Sequence, residues 1–353
     1  MLNVCHQFKL LSPAVSCEPY GSGHINATYL VKTAGGPDYI LQRLSRQAFH
    51  DIPALMRNVE EVTGYLSRQD PDPRHTLHLL PTLDGARFLH TPDGEYYRMY
   101  DFITHSVSLD RPERERDLYE CAHAFGRFQR MLGGFPAREL SETIPHFHDT
   151  PVRYQALHAA IAEDKMGRVK ECGPEIAFAL AREEEAATLM NLLAAGELPL
   201  RVTHNDTKLN NVMLDADTHE AVCVIDLDTV MPGLAANDFG DLVRFGANTG
   251  AEDEKDLTKI GLSMHNYEQL LEGFLAACGD ALTEKEVLTL PMGGKLMTLE
   301  CGVRFLTDYL SGDVYFRIHR PEHNLDRCRT QFKLVASMEE NWYAMMQRVQ
   351  AVR

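Results

Sequence analysis

The chain has 353 residues, of which 44% are hydrophobic and 24% are charged, and its formal net charge is −16. This composition is typical of a globular protein, and the length is sufficient for two lobes. The excess of Asp and Glu over Lys and Arg, 51 against 35, argues against nucleic acid or an anionic membrane as a partner. No uninterrupted apolar run approaches the roughly 18 residues of a membrane helix. Scattered cysteines without a Cys-x-x-Cys pair, and a polar start, predict a reduced protein of the cytoplasm.

The first hundred residues show short strand patterns and one helical pattern. Strands are predicted for three runs that glycine-rich turns separate, Cys17–Tyr20, Asn26–Lys32 and Tyr39–Arg43. Apolar residues at helical spacing predict a helix over Ile52–Arg68. The run Tyr96–Ile103 then predicts a mostly buried strand.

The rest of the chain changes to long helices around a group of short strands. The predicted helices are Arg114–Leu132, Pro174–Ala195, Tyr267–Cys278, Glu284–Leu310 and Asp326–Met346. The predicted strands among them are Leu200–Val202, Val212–Leu214 and Val222–Ile225. We therefore expect an α+β fold with a small sheet-rich lobe over residues 1–103 and a larger helical lobe over residues 104–353. The hinge is expected near Asp101–Thr104.

The first strand of this group is followed by His204-x-Asp206-x-Lys208-x-x-Asn211, which has the spacing of a kinase catalytic loop. In phosphoryl transfer a carboxylate orients the attacking hydroxyl and accepts its proton, and this role is predicted for Asp206. Lys208 is predicted to neutralise charge on the moving phosphoryl group, and Asn211 to bind Mg2+. A turn that is merely rich in Asn and Asp is the plainer alternative. Strand patterns on both sides favour the catalytic interpretation.

A second acidic motif ends the last predicted strand of the group, at Asp226-Leu-Asp228. A carboxylate at the end of a buried strand is well placed to bind Mg2+, so Asp226 is predicted to be a metal ligand. Asp228 is predicted to support it or to be a second ligand. Asp238-Phe-Gly spells the kinase magnesium motif literally, but it follows a Met-Pro-Gly turn. Asp238 is therefore predicted to be structural, as a helix N-cap or a brace for the catalytic loop.

Nucleotide-binding residues are predicted in the first lobe and at the hinge. Gly21 and Gly23 lie between two predicted strands, where glycines let backbone N–H groups approach phosphate. Any tight hairpin also uses such glycines, and Asn26 replaces the last glycine of the Gly-x-Gly-x-x-Gly pattern. At the hinge, Asp101 and Ile103 are predicted to contact the nucleotide.

With these motifs the chain resembles the aminoglycoside phosphotransferase-like family, which includes aminoglycoside, choline and homoserine kinases. The runs that carry the resemblance are Glu18–Asn26, Met56–Glu60, His146–Pro151, Arg201–Asn211, Ile225–Thr229, Arg244–Gly246, Glu252–Leu257 and Pro321–Leu325. The resemblance covers almost the whole chain and extends to the family's sugar kinases. It implies a two-lobed protein-kinase-like fold, ATP and Mg2+, and transfer of the γ-phosphate to O1 of GlcNAc or GalNAc. It also implies sugar contacts from residues His24, Asp206, Arg304 and Tyr315.

One position departs from the wider kinase pattern. Gln42, the predicted nucleotide contact on its strand, stands where kinases carry a Lys. Glutamine donates hydrogen bonds but brings no charge. The adjacent Arg43 should point to the other face of the sheet. Glu60, predicted to be the helix partner of this position, is left without its usual ion-pair mate.

The predicted sugar contacts have plainer alternatives. Arg304 lies four residues from both Glu300 and Asp308, a spacing that suits an ion pair on a helix surface. Tyr315 and His24 could equally be core or turn residues.

The pair His146 and His148, with Asp149, suggests a metal site only weakly. Asp149-Thr-Pro is typical of a helix start, so this run is predicted to shape a loop beside the sugar pocket.

Two other functions remain open at this point. The first is a kinase of the same family that acts on an amino-alcohol, homoserine or an aminoglycoside. A sugar- or nucleotide-sensing module without catalysis would have no need for Asp206, Asn211 and Asp226 together, and all three are present.

Overall fold

The computed structural model describes residues 1–21 and 25–352. The strands are β1 (Ala14–Pro19), β2 (Ala27–Thr33), β3 (Tyr39–Arg43), β4 (Leu89–His90), β5 (Tyr96–Asp101), β6 (Ser106–Val107), β7 (Arg201–Thr203), β8 (Val212–Asp215), β9 (Ala221–Val224) and β10 (Met231–Gly233). The helices are α1 (Leu2–Cys5), α2 (Ile52–Gln69), α3 (Asp117–Met131), α4 (Thr150–Glu163), α5 (Gly173–Leu180), α6 (Glu183–Ala186), α7 (Thr188–Ala194), α8 (Ala235–Gly246), α9 (Met264–Cys278), α10 (Glu284–Ser311), α11 (His323–Glu340) and α12 (Trp342–Val352). Within the described ranges, no helix combines the length and the apolar character needed to cross a membrane.

The N-terminal sheet has five antiparallel strands in the order β1-β2-β3-β5-β4. Its two faces pack into different cores because side chains alternate along each strand. Leu41 and Met99, opposite each other on β3 and β5, pack on the side of α1. The next pair in this register, Gln42 and Arg98, points to the other side, where Arg98 contacts Met56 of α2. This second side faces the rest of the protein.

The connection after β5 changes from one sheet to another. β5 pairs with β3 and β4, whereas β6 pairs with β8 in the three-stranded sheet β6-β8-β9. The proposed lobe boundary between residues 103 and 104 lies in this connection. The remaining two strands, β7 and β10, form a small antiparallel pair, so the predicted strands of the second lobe are all present.

The helical part is organised around α10, which packs against α8, α11 and α4. The predicted start of α10 is confirmed: Thr283 and Glu286 form a capping box. Glycines let α8 and α10 approach closely, because a Cβ on Gly240 would collide with the Gly293 carbonyl and one on Gly293 with the Ala236 carbonyl.

The prediction of one helix over Pro174–Ala195 is wrong. The segment divides into α5, α6 and α7, with the first break after Leu180. At that break the carbonyls of Phe178 and Ala179 accept hydrogen bonds from the side chains of Arg182 and Tyr154. Side chains thus satisfy the backbone groups that a continuous helix would have paired internally.

Candidate functional site

The predicted catalytic loop brings Asp206, Lys208 and Asn211 together. The Asn211 side-chain amide donates to Asp206 Oδ2, at 3.0 Å, and to the Asp206 carbonyl, at 2.8 Å. Lys208 Nζ lies 3.1 Å from the other carboxylate oxygen, Oδ1. The Asp206 side chain still exposes 27% of its surface. The carboxylate is therefore fixed from two sides while remaining accessible to an acceptor.

Lys208 is charged at physiological pH. Burial acts to lower its pKa, but the carboxylates of Asp206, Asp241 and Asp226 outweigh this effect and hold the pKa above its ordinary value. The ammonium also lies 5.9 Å from the centre of the Phe245 ring. A lysine in this state is suited to neutralise an incoming phosphate rather than to act as a base.

His204 connects the catalytic loop to the strand that leads to Asp226. Its ring is fully buried and meets the rings of Phe125 and Phe128 edge-on. Nδ1 accepts a hydrogen bond from the Asp206 N–H, which assigns the ring proton to Nε2, 2.9 Å from the carbonyl of Ile225. One side chain thus sets the distance between the two motifs.

Helix α8 braces the loop from below through Asp238. Its carboxylate accepts from the backbone N–H groups of His204 and Asn205, at 2.9 and 2.8 Å, and from the Gln129 amide at 2.6 Å. Burial raises the pKa of Asp238, although these donors oppose the rise. The interpretation as a brace is confirmed. The alternative of an N-cap is wrong, because α8 begins after Leu234, which is its N-cap.

Asp241, one turn further along α8, holds the other half of the loop. It accepts from the Thr207 N–H at 3.1 Å and pairs with Arg244. Arg244 also pairs with Glu252 at 3.1 Å. These contacts link the runs around Arg244 and Glu252 to the catalytic loop.

Asp226 has a left-handed backbone conformation, with φ of 59° and ψ of 60°. Such a conformation costs a non-glycine residue about 1–2 kcal/mol. The residue is exposed at the protein surface, although its carboxyl group is closely surrounded by protein atoms. Desolvation by these atoms, and then the negative charges of Asp228 and Asp206, raise its pKa above the ordinary value. A cation at this carboxylate would relieve the repulsion.

The oxygen atoms of Asp226 and Asn211 suit a hard divalent cation. Because the Asn211 amide nitrogen donates to Asp206, its Oδ1 is the atom left to face a cation. The Asn211 carbonyl accepts from the N–H of Ile225, the residue before Asp226, at 2.9 Å. Carboxylate and amide oxygens are ligands that Mg2+ accepts. Asp226 and Asn211 are therefore the residues that could hold the metal.

Asp228 is paired with a residue that the sequence interpretation missed. The Arg98 guanidinium forms an ion pair with Asp228, and both side chains are buried, at 1% and 4% exposure. Asn26 also donates to Asp228, at 2.5 Å. Both carboxylate oxygens of Asp228 are thus engaged within the protein. A lone Arg inside the apolar run Tyr96–Ile103 was the available signal, because a buried charge requires a partner.

The prediction that Glu60 is the helix partner of the Gln42 position is wrong. Glu60 is exposed and pairs with Arg87, at 2.7 Å, on the outside of α2. Gln42 instead accepts a hydrogen bond from Arg98 Nε at 2.9 Å and donates to Thr28 at 3.1 Å.

The other predicted nucleotide contacts lie after β1 and at the end of β5. Gly21 follows β1 with a φ of +75°, a conformation that favours glycine. Gly23, like the predicted sugar contact His24, lies outside the described residues. Asp101 ends β5, and Ile103 follows in the connection, where its carbonyl accepts from the Ser106 hydroxyl at 2.8 Å.

Arg304 and Tyr315, the remaining predicted sugar contacts, lie side by side. Arg304 Nη2 is 3.5 Å from the Tyr315 hydroxyl, and Tyr315 is 68% exposed. The guanidinium lies between aromatic rings, 5.3 Å from the centre of Phe316 and 5.7 Å from that of Phe147. The alternative of a helix-surface ion pair is wrong, because no carboxylate in the described residues forms a salt bridge with Arg304.

A buried network joins this pair to the catalytic loop. His148 contacts the Asn205 carbonyl at 3.3 Å and Glu300 at 3.2 Å. Glu300, one helical turn before Arg304, also accepts from Thr150 at 2.8 Å. The predicted role of this run, to shape a loop beside the pocket, agrees with these contacts.

Comparison with known proteins gives one family and a consistent fold. Residues 16–272 match the model of the phosphotransferase enzyme family, APH. A microcompartment-associated aminopropanol kinase is 17% identical, with a TM-score of 0.63 over 99% of this chain and 98% of that one. An aminoglycoside phosphotransferase from Alicyclobacillus acidocaldarius is 13% identical, with a TM-score of 0.64 over 99% and 96%. Amicoumacin kinase, solved with AMP-PNP, Ca2+ and Ami, is 14% identical, with a TM-score of 0.61 over 96% and 92%.

At these identities the structural likeness concerns the fold, and it confirms the predicted α+β, protein-kinase-like architecture. The family model covers well over half of the chain and includes both acidic motifs. The chain therefore belongs to the phosphotransferase enzyme family APH.

Proposed function

We propose that the protein is an ATP- and Mg2+-dependent kinase that phosphorylates N-acetylhexosamines, GlcNAc and GalNAc, at the anomeric O1. The observation that carries the proposal is the Asp206 carboxylate, which Asn211 and Lys208 fix in place and which remains partly exposed to solvent. The sugar assignment is supported by the sequence resemblance and by the paired Arg304 and Tyr315.

Each residue of the loop has a separate task in this reaction. Asp206 orients the acceptor hydroxyl and takes its proton, and Lys208 stabilises negative charge on the transferred group. Asn211 and Asp226 hold Mg2+, which when bound neutralises charge on the phosphates. The braces from α8 keep these groups in place, which limits the reorganisation needed during the reaction.

The choice of O1 follows from acidity. The anomeric hydroxyl of a hemiacetal is more acidic than an ordinary alcohol, because the ring oxygen withdraws electron density. A carboxylate base such as Asp206 is therefore better matched to O1 than to the primary O6. The site must also hold the sugar with O1 in line with the γ-phosphate.

The charges around Arg304 favour a neutral acceptor. Its guanidinium is held by aromatic rings, so its N–H groups can donate to sugar oxygens. Burial lowers the pKa of Arg153, the Glu300 carboxylate opposes this, and the charge of Arg304 adds to it. Glu300 is buried and already engaged by His148 and Thr150, so the Arg304 guanidinium is the charge left to meet an acceptor, and it would repel an ammonium group. We therefore favour a neutral amino sugar over amino-alcohols and aminoglycosides as the acceptor. His24 is proposed as a further sugar contact.

The decisive experiment is an acceptor panel followed by 31P NMR of the product. We expect GlcNAc and GalNAc to react, 6-deoxy-GlcNAc to react, and 1-O-methyl-GlcNAc to fail. A site built on hydrogen bonds discriminates strongly against analogues that lack a bonded group. A 6-phosphate product, or turnover of the 1-O-methyl sugar, would contradict the assignment of O1. Turnover restricted to amino-alcohols would replace the sugar with a cationic acceptor.

The substitution Arg304→Ala tests the pocket itself. We expect KM for the sugar to rise by about tenfold or more, since one good hydrogen bond to a charged group contributes about 1.5–3 kcal/mol. KM for ATP should change little. Arg317→Ala, an exposed position on the segment that carries Tyr315, is the matched control and should leave both values unchanged. An equal rise of both KM values in Arg304→Ala would remove Arg304 from the sugar site.

A further inference from the structure

Arg98 is a buried cation in the sheet of the small lobe. Its side chain is 1% exposed, and its guanidinium lies 5.1 Å from the centre of the Tyr100 ring. Nε donates to Gln42 at 2.9 Å, and Nη1 pairs with Asp228. A buried charge without a partner costs several kcal/mol, so Arg98 and Asp228 depend on each other.

Three segments of the small lobe converge on Asp228. Arg98 reaches it from β5, and Asn26 reaches it from the residue before β2. Asn26 is in turn held by the Ser45 N–H, which donates to its Oδ1 at 3.0 Å after the end of β3. Asp228 itself belongs to the helical turn Leu227–Thr229, whose first flanking residue is Asp226. The ion pair therefore connects the small lobe to the turn that begins at the candidate metal ligand, Asp226.

The cation of this pair lies next to the position where kinases carry a lysine. Gln42 and Arg98 are opposite each other in the register of β3 and β5, and they point to the same face. A single cross-strand step thus separates the uncharged residue from the cation. We propose that Arg98 is a positioning residue of the phosphotransfer site, which supplies from β5 the cation that β3 lacks and acts through Asp228 to hold Asp226.

This proposal rests on the proposed function, because it assigns a role toward a bound divalent metal. Arg98 is too deeply buried to touch a nucleotide, so its action is indirect. Asp226 needs such support because its left-handed backbone is strained and its carboxylate faces those of Asp228 and Asp206. Fixing Asp228 fixes the turn that Asp226 begins.

A buried ion pair that serves stability alone predicts a different behaviour. Replacing both partners of such a pair with neutral residues is often close to neutral for stability. If the pair only stabilises the fold, the double variant Arg98→Met/Asp228→Asn should bind metal like the wild type. If Arg98 positions Asp226, the double variant should fold but bind metal weakly.

The test measures Mn2+ binding by EPR in the presence of AMP-PNP, for the full chain and without an acceptor. We expect the double variant to keep a cooperative thermal transition and to bind Mn2+ about tenfold or more weakly, the usual effect of losing a residue that orients a metal ligand. Wild-type affinity in the folded double variant would overturn the proposal. Arg98→Met alone leaves Asp228 unpaired, and we expect it to lower both the melting temperature and the Mn2+ affinity.

A second variant tests whether the charge itself matters. Gln42→Lys in the Arg98→Met background returns a cation to β3, and we expect it to recover a large part of the lost Mn2+ affinity. If the Mn2+ affinity does not recover, the idea that Arg98 supplies the cation that β3 lacks is contradicted. Arg43→Gln, an exposed neighbour on β3, is the control and should bind Mn2+ normally. Because no acceptor is present, a wrong sugar assignment would leave this result unchanged.

Discussion

Asp206 is accessible because its neighbours hold it from the sides. Asn211 contacts one carboxylate oxygen and Lys208 the other, while the backbone of the loop is anchored on Asp238 and Asp241. The side chain therefore needs little rearrangement to meet an acceptor hydroxyl. Its contribution to catalysis can be separated from its contribution to folding, since the fold depends on the anchors and not on the carboxylate itself.

The substitution Asp206→Asn should lower kcat by a factor on the order of 10² or more, the scale expected for the loss of a general base. The amide keeps the shape of the carboxylate, so nucleotide binding and the melting temperature should remain close to those of the wild type. Steady-state kinetics with GlcNAc and thermal denaturation check both expectations. Asp217→Asn, an exposed carboxylate outside the site, is the control. Near-normal turnover in Asp206→Asn would remove Asp206 from its role.

At the scale of single residues, the sequence predicts contacts between residues of one motif but misses contacts between two distant segments. The spacing from Asp206 to Asn211 determined their contact because they share one short loop. Arg98 and Asp228 are separated by more than a hundred residues, and only the packing of the lobes shows that they pair. The same reason explains the error at Glu60: its position on α2 depends on the rotation of the helix against the sheet.

Helices α8 and α10 together set the position of the catalytic loop. α8 supplies Asp238 and Asp241, and α10 fixes α8 through the glycine contact at Gly240 and Gly293. The capping box of α10 could be predicted from the sequence because its two residues, Thr283 and Glu286, are only three positions apart. The helix break after Leu180 could not be predicted from the local sequence, because a side chain from another helix, Tyr154 of α4, hydrogen-bonds one of the free carbonyls.

We expect Gly293→Ala to destabilise the protein by about 1–3 kcal/mol or more, because its Cβ would meet the backbone carbonyl of Ala236, which cannot move cheaply. Urea unfolding measures the change. Gly64→Ala is the matched control: Gly64 lies inside α2, where only the flexible end of Arg68 is near. That substitution should be neutral or stabilising by up to about 1 kcal/mol, from helix propensity alone. Equal stability of both variants would contradict the tight packing of α8 on α10.

Across the whole molecule the net charge is −16, and the candidate site mixes both signs. Lys208 pairs with Asp206 and Arg98 with Asp228, while Arg304 lies near the Glu300 carboxylate. The fold class was predictable because the two lobes have different local patterns, short strands first and long helices later. The sequence could not predict whether the site attracts or repels a cationic acceptor, because this depends on which charged side chains line the pocket.

The dependence of kcat/KM on salt should therefore report the charge of the natural acceptor. A cation would be attracted by the global negative charge, and salt would screen that attraction, since the Debye length falls to about 10 Å at 0.1 M. GlcNAc is neutral, so with MgATP kept saturating its kcat/KM should change less than about twofold between about 20 and about 200 mM KCl. Glucosamine is the matched cationic comparison, because an ammonium replaces the acetamide. We expect it to be the poorer acceptor and, where turnover is measurable, to lose activity with salt. If glucosamine instead outperforms GlcNAc at low salt and loses this advantage severalfold as salt rises, then the site selects a cation and the neutral amino sugar is the wrong acceptor.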